Sequence, residues 1–380
     1  MCIRDRISPH YGAQKTDKSN FKQELTNQFK GNALLCFSCI IFFIIAKIIL
    51  ILFEQPFSFA IWPYLEIILT IIAPIALISA IILRFLYLGL IKQSVQPTSD
   101  LIIYFSAQFR DPYRWAKAIP CIGIMMLGFM AFTDLKAAIP LMNEYKWDES
   151  FMRLDQIIHF GQHPWEILQP ILGYKTPTVI INFFYNLWFF VLFGFWCYAG
   201  WKKYDHEWER QFLLSFIWCW VFGGTVMATI FSSMGPAFYD LINTASNPYT
   251  GQMDMLISFN QDGKIYALGT QDLLRESYLN PENKGGLSGI SAMPSMHNAT
   301  STLFMLAAFR INKVLGYAMV VFLGFIIIGS VHLAWHYAID SYVGITIALI
   351  IWWISGKSLE IQDKFLLYER TSNSSITSKG

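Results

Sequence analysis

Charge is scarce in this sequence. Of its 380 residues only 14% are Asp, Glu, Lys or Arg, against roughly 25% in soluble proteins, while 54% are hydrophobic and the mean hydropathy is +0.41. That balance excludes an ordinary soluble domain and points to a polytopic membrane protein. A surplus of one sign is also missing. A net charge of +2 offers no basic surface for nucleic acid, so the expected surroundings are the bilayer and a lipid. Cysteine is absent from the polar loops: of Cys2, Cys36, Cys39, Cys121, Cys197 and Cys219, all but Cys2 fall within or beside apolar runs, which excludes a disulfide framework. Cys36 and Cys39 form a C-x-x-C without a second pair, so they read as small packing residues and not as a metal or redox site. No internal repeat appears, which argues against the inverted-repeat design of many transporters.

What the chain does have is long apolar runs. A helix needs about 20 such residues to cross the hydrocarbon core. Eight runs qualify, at 33–53, 65–91, 118–142, 177–200, 211–231, 294–310, 314–331 and 336–355. The expected fold is all-α, a polytopic transmembrane bundle of about eight spans. Residues 1–32 form a polar tail, expected to be disordered; Met1 to Arg6 resemble translated adapter sequence and carry no functional argument. No small-residue cleavage site follows the first run, so it is expected to be an anchor and not a signal peptide. Two N-terminal helices and a cytoplasmic loop occupy 33–117, a membrane domain 118–355, and a C-tail 356–380, expected to be disordered from about 370. Aromatic residues such as Trp188, Trp201, Trp352 and Trp353 fit interfacial anchoring. With the N-terminus inside, 20 of the 28 Lys and Arg fall in cytoplasmic segments and seven outside, so both termini are expected inside. Lys47 lies within the first span and is expected to snorkel or to pair with an acid such as Glu66.

Two outer segments stand out. In 143–176, Phe151, Leu154, Ile157 and Ile158 recur at helical spacing, as do Trp165, Leu168 and Leu172 after a break at Gly161 to Pro164. These read as short helices lying in the membrane interface, or simply packed over the bundle. Segment 232–293 is the longest loop, and such length means function or disorder.

Chemistry concentrates at two span entrances. In Ser330-Val331-His332-Leu333-Ala334-Trp335-His336-Tyr337-Ala338-Ile339-Asp340, His336 and Asp340 are four apart, one helical turn on one face, so Asp340 is positioned to hold one ring nitrogen and leave the other free. In Pro294-Ser295-Met296-His297, the proline suits a first helical turn whose free N–H groups bind anions. Charge counting alone puts both entrances at the same, outer face. Two histidines and a carboxylate beside a helix N-terminus suit a phosphate ester: one His attacks phosphorus, the other protonates the leaving oxygen, and the N–H groups hold the phosphoryl oxygens.

Pro294-Ser295-Met296-His297 resembles the P-S-G-H motif of the type 2 phosphatidic acid phosphatase superfamily, and His336-x-x-x-Asp340 its final H-x-x-x-D motif. Gly235-Pro236-Ala237-Phe238-Tyr239 resembles the inositolphosphotransferase branch, which includes fungal inositol phosphorylceramide synthase. The resemblance covers roughly 130–355 and implies a six-helix core. It also implies His336 as a phosphohistidine-forming nucleophile, Asp340 as its orienting acid, His297 as general acid, and Ser295, Met296, Gly235 and Pro236 at the phosphate, with no metal or other cofactor. His332, one turn before His336, is expected to support the catalytic residues or touch phosphate. The chain departs from the phosphatase branch in three ways. No Arg-Pro pair completes a K-x6-R-P motif, Ser330 stands where that branch has an arginine, and Met296 replaces a glycine. Fewer cations favour a phosphodiester or lipid-linked head group; Lys264, Arg275 or Lys284 would supply the missing charge, or are simply solvated.

The expectation is thus an integral membrane phosphotransferase or phosphoester hydrolase acting on a lipid phosphate, its site on the non-cytoplasmic side of a bacterial inner membrane. A lipid phosphate or polyprenyl pyrophosphate phosphatase, a transporter, and an inactive family member are the rivals. The oligomeric state stays open.

Overall fold

The structure, a computed structural model, describes residues 18–55, 65–66, 68–202, 207–242, 247–280 and 289–377. Met1 to Arg6, His10, His206 and Lys284 lie outside these residues. The chain folds into helices α1 (Lys18–Gly31), α2 (Ala33–Leu52), α3 (Leu69–Ile91), α4 (Pro97–Arg110), α5 (Pro112–Met142), α6 (Asp148–Ile158), α7 (Pro164–Leu172), α8 (Lys175–Trp201), α9 (Glu207–Ile230), α10 (Thr250–Phe259), α11 (Tyr266–Leu279), α12 (Met296–Ile311), α13 (Lys313–His332) and α14 (Ala338–Thr377). Seven of them, α2, α3, α5, α8, α9, α13 and α14, are long and apolar enough to cross a membrane. The protein is an all-helical, multi-pass membrane protein.

The expected sixth span is shorter than a full crossing. α12 has 16 residues, about 24 Å at 1.5 Å per residue, against a hydrocarbon core of roughly 30 Å. It does not meet lipid over most of its surface: Asn298 to Phe304 are all buried among α9, α13 and α14. A helix sheathed by other helices can carry Asn, Ser and Thr that a lipid-facing one cannot.

Packing follows from periodicity. In α2, Leu35, Cys39, Phe42, Ala46 and Leu50 are buried, a stripe at three- and four-residue spacing, while Phe37, Ile44 and Ile48 are exposed on the lipid side. Cys39 fits against Gly128 of α5, where a Cβ would stand 3.2 Å from its Sγ; it is the packing residue its spacing suggested. Trp353 is exposed, but Trp188 is not an interfacial anchor: it is 3% exposed, inside the core.

Two tails expected to be disordered, and a long loop expected to mean function or disorder, contain helices. α1 occupies the second half of the N-terminal tail. α10 and α11 occupy much of the long loop at 232–293. α14 continues through the C-tail to Thr377. The last two are anchored by long-range polar contacts. Gln252 of α10 donates to the carbonyls of Val331 (2.7 Å) and His332 (3.2 Å), and Gln271 of α11 to that of Leu333 (2.9 Å), so these two amides satisfy carbonyls at the end of α13 that have no partner within the helix. Beyond the apolar part of α14, Asp363 accepts a two-pronged bond from Arg210 and Gln362 donates to the carbonyls of Lys30 and Gly31.

Candidate active site

Three chain segments meet where α12 begins, α13 ends and α14 begins. Ala237 N–H donates to Ala334 O, Ala292 N–H to Ser233 O, Ser295 N–H to Asp340 O, and His336 N–H to Ser330 O, all at 2.9–3.0 Å. Gly235 is required at this junction: its φ is +92°, which favours glycine, and a Cβ there would come within 2.8 Å of Trp335 O and 3.1 Å of Ala292. Gly235 and Pro236 therefore lie directly against the segment that carries His336.

His336 and Asp340 do not share a continuous helix, as their spacing suggested. α13 stops at His332, Leu333 and Ala334 turn the chain, Ala334 with φ +60°, and α14 starts at Ala338. Asp340 occupies its first turn and its Oδ2 accepts from Tyr337 N–H at 3.0 Å, the backward half of a capping box. From there Oδ2 lies 3.4 Å from Nδ1 of His336. The closer partner of that nitrogen is the main-chain carbonyl of Ala292, at 2.8 Å. A carbonyl only accepts, so Nδ1 carries a proton and the lone pair of the neutral ring is on Nε2. The ring centroid of His297 is 6.3 Å from that of His336. His297 stacks on Tyr185 (4.6 Å) and lies against Trp188 (4.1 Å), both from α8. A cavity of about 10 Å³ borders His336, lined by Asp155, Trp165, Tyr249, Gln252 and Tyr337 among others, room for about one water molecule.

The other expected residues divide. Ser295 is fully buried at the N-cap of α12, its hydroxyl accepting from Asn298 Nδ2 at 3.0 Å. The same Asn298 amide meets Ser330 (2.7 Å) and Ser341 (2.9 Å), so the position of the family arginine is a small buried hydroxyl knitting α12, α13 and α14. Met296 packs toward Gly223 of α9. His332 is turned to α8, with Nε2 2.9 Å from Thr178 Oγ1; Thr178 spends its own proton on Tyr174 O, so His332 is the donor and pins α13 to α8. Lys264 pairs with Asp262 at 3.0 Å on the surface. Arg275 is forked onto Asp240 (2.6 and 2.9 Å) with a further bond to Ala237 O. The structure therefore brings together His297, His336, Asp340, Ser295, Met296, Gly235 and Pro236, and ties His332, Lys264 and Arg275 to other partners.

Three contributors escaped the sequence reading. Lys136 lies within α5, and its charge acts on His297. It also stands seven residues before Asn143, where a K-x6-R-P motif would have its arginine; a lone cation inside an apolar run was the available signal. Asp148 of α6 accepts from Met234 N–H (3.0 Å), Gly235 N–H (2.8 Å) and Tyr337 O–H (2.9 Å). Asp155, two turns further, accepts from Ala338 N–H (2.7 Å) and Ile339 N–H (2.9 Å) at the start of α14. Asp148 thus ties the His336 segment to the Gly235 segment, and Asp155 holds the start of α14. Burial pushes Asp155 up from the ordinary 3.8 to about 6 despite those two bonds, and burial likewise raises Asp148.

Residues 149–354 match the PAP2 superfamily. The chain belongs to it. That match spans more than half of the sequence and includes both histidines and Asp340, and membership in this superfamily indicates a phosphatase-type activity on phosphate esters. No curated protein and no solved structure matches the chain.

Proposed function

We propose that this PAP2-superfamily protein moves a phosphoryl group from a lipid head group through a phosphohistidine. The observation that supports this most is the tautomer of His336: Ala292 O takes the proton on Nδ1, and the free Nε2 lies on a ring 6.3 Å from His297, a spacing suited to one phosphate between them. In the first step Nε2 forms a bond to phosphorus as the P–O bond to the leaving alcohol breaks, and His297 gives that oxygen its proton. A bound phosphate anion supplies the negative charge that keeps the proton on His297 until then. Positive charge on the His336 ring is steadied by Ala292 O and Asp340. Lys136 and the N–H groups in the first turn of α12, which have no intrahelical acceptor, face the phosphoryl oxygens. In the second step water or a hydroxyl attacks phosphorus, the P–N bond breaks, and His297 takes back a proton. The scheme uses no metal.

The finer reading is a transferase resembling the inositolphosphotransferases. Ser330 supplies no charge and Arg275 is already neutralised by Asp240, which favours a singly charged phosphodiester over a phosphomonoester dianion. The distribution of Lys and Arg favours a site on the non-cytoplasmic face. Purified protein given phosphatidylinositol labelled at phosphorus, with and without a lipid hydroxyl acceptor, tests both levels. Label trapped on His336 and passed to the acceptor is expected. Inorganic phosphate release from phosphatidic acid with no head-group exchange would leave a phosphatase only. Turnover without label on His336 would overturn the covalent route.

A further inference from the structure

The active site uses one face of α6, and the opposite face is exposed. Asp148, Phe151 and Asp155 are buried against the site. Glu149 and Arg153 form an exposed ion pair. Ile157, one turn beyond Arg153, is 76% exposed, and Leu154 beside it is exposed too. The pattern continues around the elbow into α7. Phe160 is 97% exposed with φ +59°, a conformation a bulky residue adopts only at a cost, and Ile171 is 75% exposed.

Chain connectivity says what covers these side chains. Five residues separate the end of α5 from α6, and two separate α7 from α8. At no more than about 3.6 Å per residue, both ends of the α6–α7 unit are held close to where membrane-crossing helices emerge. Tyr174, exposed just before α8, is the residue type that sits at head-group level. A short amphipathic unit tethered at both ends to span termini lies in the plane of the interface.

We propose that the elbow between α6 and α7 inserts Ile157, Phe160 and Ile171 into the head-group layer of the leaflet on the active-site side, making it a lipid-contact surface. One helix then touches lipid on one flank and holds the His336 segment on another, which fixes the site at the depth of a lipid phosphate. This holds whether or not the chain turns out to be a transferase.

The test is photocrosslinking of the full-length protein in phosphatidylcholine vesicles, with benzoylphenylalanine introduced at one position per variant: Phe160, Ile171, Arg153, and Val321 as a lipid-facing control on α13. Each variant is first required to elute as a single species. Lipid adducts at 160, 171 and 321, with little at 153, are expected. Adducts at 321 alone, equal adducts at 153 and 160, or a chain-to-chain crosslink at 160 in place of lipid would each overturn the proposal.

Discussion

The two ends of the chain's membrane portion are built on different principles. Around His336, polar groups are buried and many are bonded across long sequence separations: Asp148 and Asp155 hold segments more than 80 residues away, and Asn298, Ser330, Ser341 and Ser295 form one buried knot. In α3 none of the most apolar stretch is buried, and α4 buries no residue either. In the crossing helix α3, aliphatic side chains are exposed on nearly every side, as they are where a helix faces lipid. Lipid does not distinguish one aliphatic surface from another, so such a helix is fixed by length and hydropathy alone, whereas the site depends on individual atoms. The difference teaches where sequence changes register.

That contrast is sharpened by substitutions of graded effect. His336→Ala is expected to lower turnover by at least about 10³-fold, as loss of a nucleophile does, measured with radiolabelled lipid. Lys136→Met comes next, a loss of about 10²-fold in kcat for removing one charge at the developing anion, while Lys264→Ala stays within about twofold because that lysine is solvated. Asp155→Ala removes an acceptor for two buried N–H groups and is expected to cost about 1–3 kcal/mol of stability, read as a lower thermal midpoint in detergent. Asp155 also predicts a pH effect. Its folded-state pKa, about 6, lies above the ordinary 3.8, so the folded protein holds a proton that the unfolded chain has released; stability contributed by the protonated form is complete below about pH 4 and is lost as pH rises through about 6. Asp155→Asn is expected to flatten that slope, and an unchanged slope would remove the assignment. At the small end, Leu83→Ala on α3, where Leu83 is 67% exposed, is expected to shift stability by less than about 0.5 kcal/mol. A cost equal to that of Asp155→Ala would dissolve the contrast itself.

The same division explains what the sequence disclosed. The long apolar runs announced eight spans, of which seven are helices long enough to cross, and the PSMH and HxxxD letters pointed to His297, His336 and Asp340, which the fold brings together, because hydropathy and motif spacing are local. α6 was expected as a helix, but of its apolar stripe only Phe151 is buried; Leu154, Ile157 and Ile158 are exposed, and the rest of the buried set is Asp148 and Asp155, two carboxylates that no apolar periodicity reveals. Gln252 and Gln271 left no local trace, since their acceptors lie 79 and 62 residues further on. Arg275 looked like a free cation until the fold set Asp240 against it. Lys136 was legible only as a lone charge within an apolar run.

The bond from His336 to Ala292 has a consequence for anyone dissecting this protein by mutagenesis. The acceptor is main chain, present whatever residue occupies position 292, so an alanine scan passes over it without a signal. Its influence becomes visible only by nudging the peptide itself, for instance with a side chain at Gly235, or by recording the nitrogen resonances of the imidazole directly.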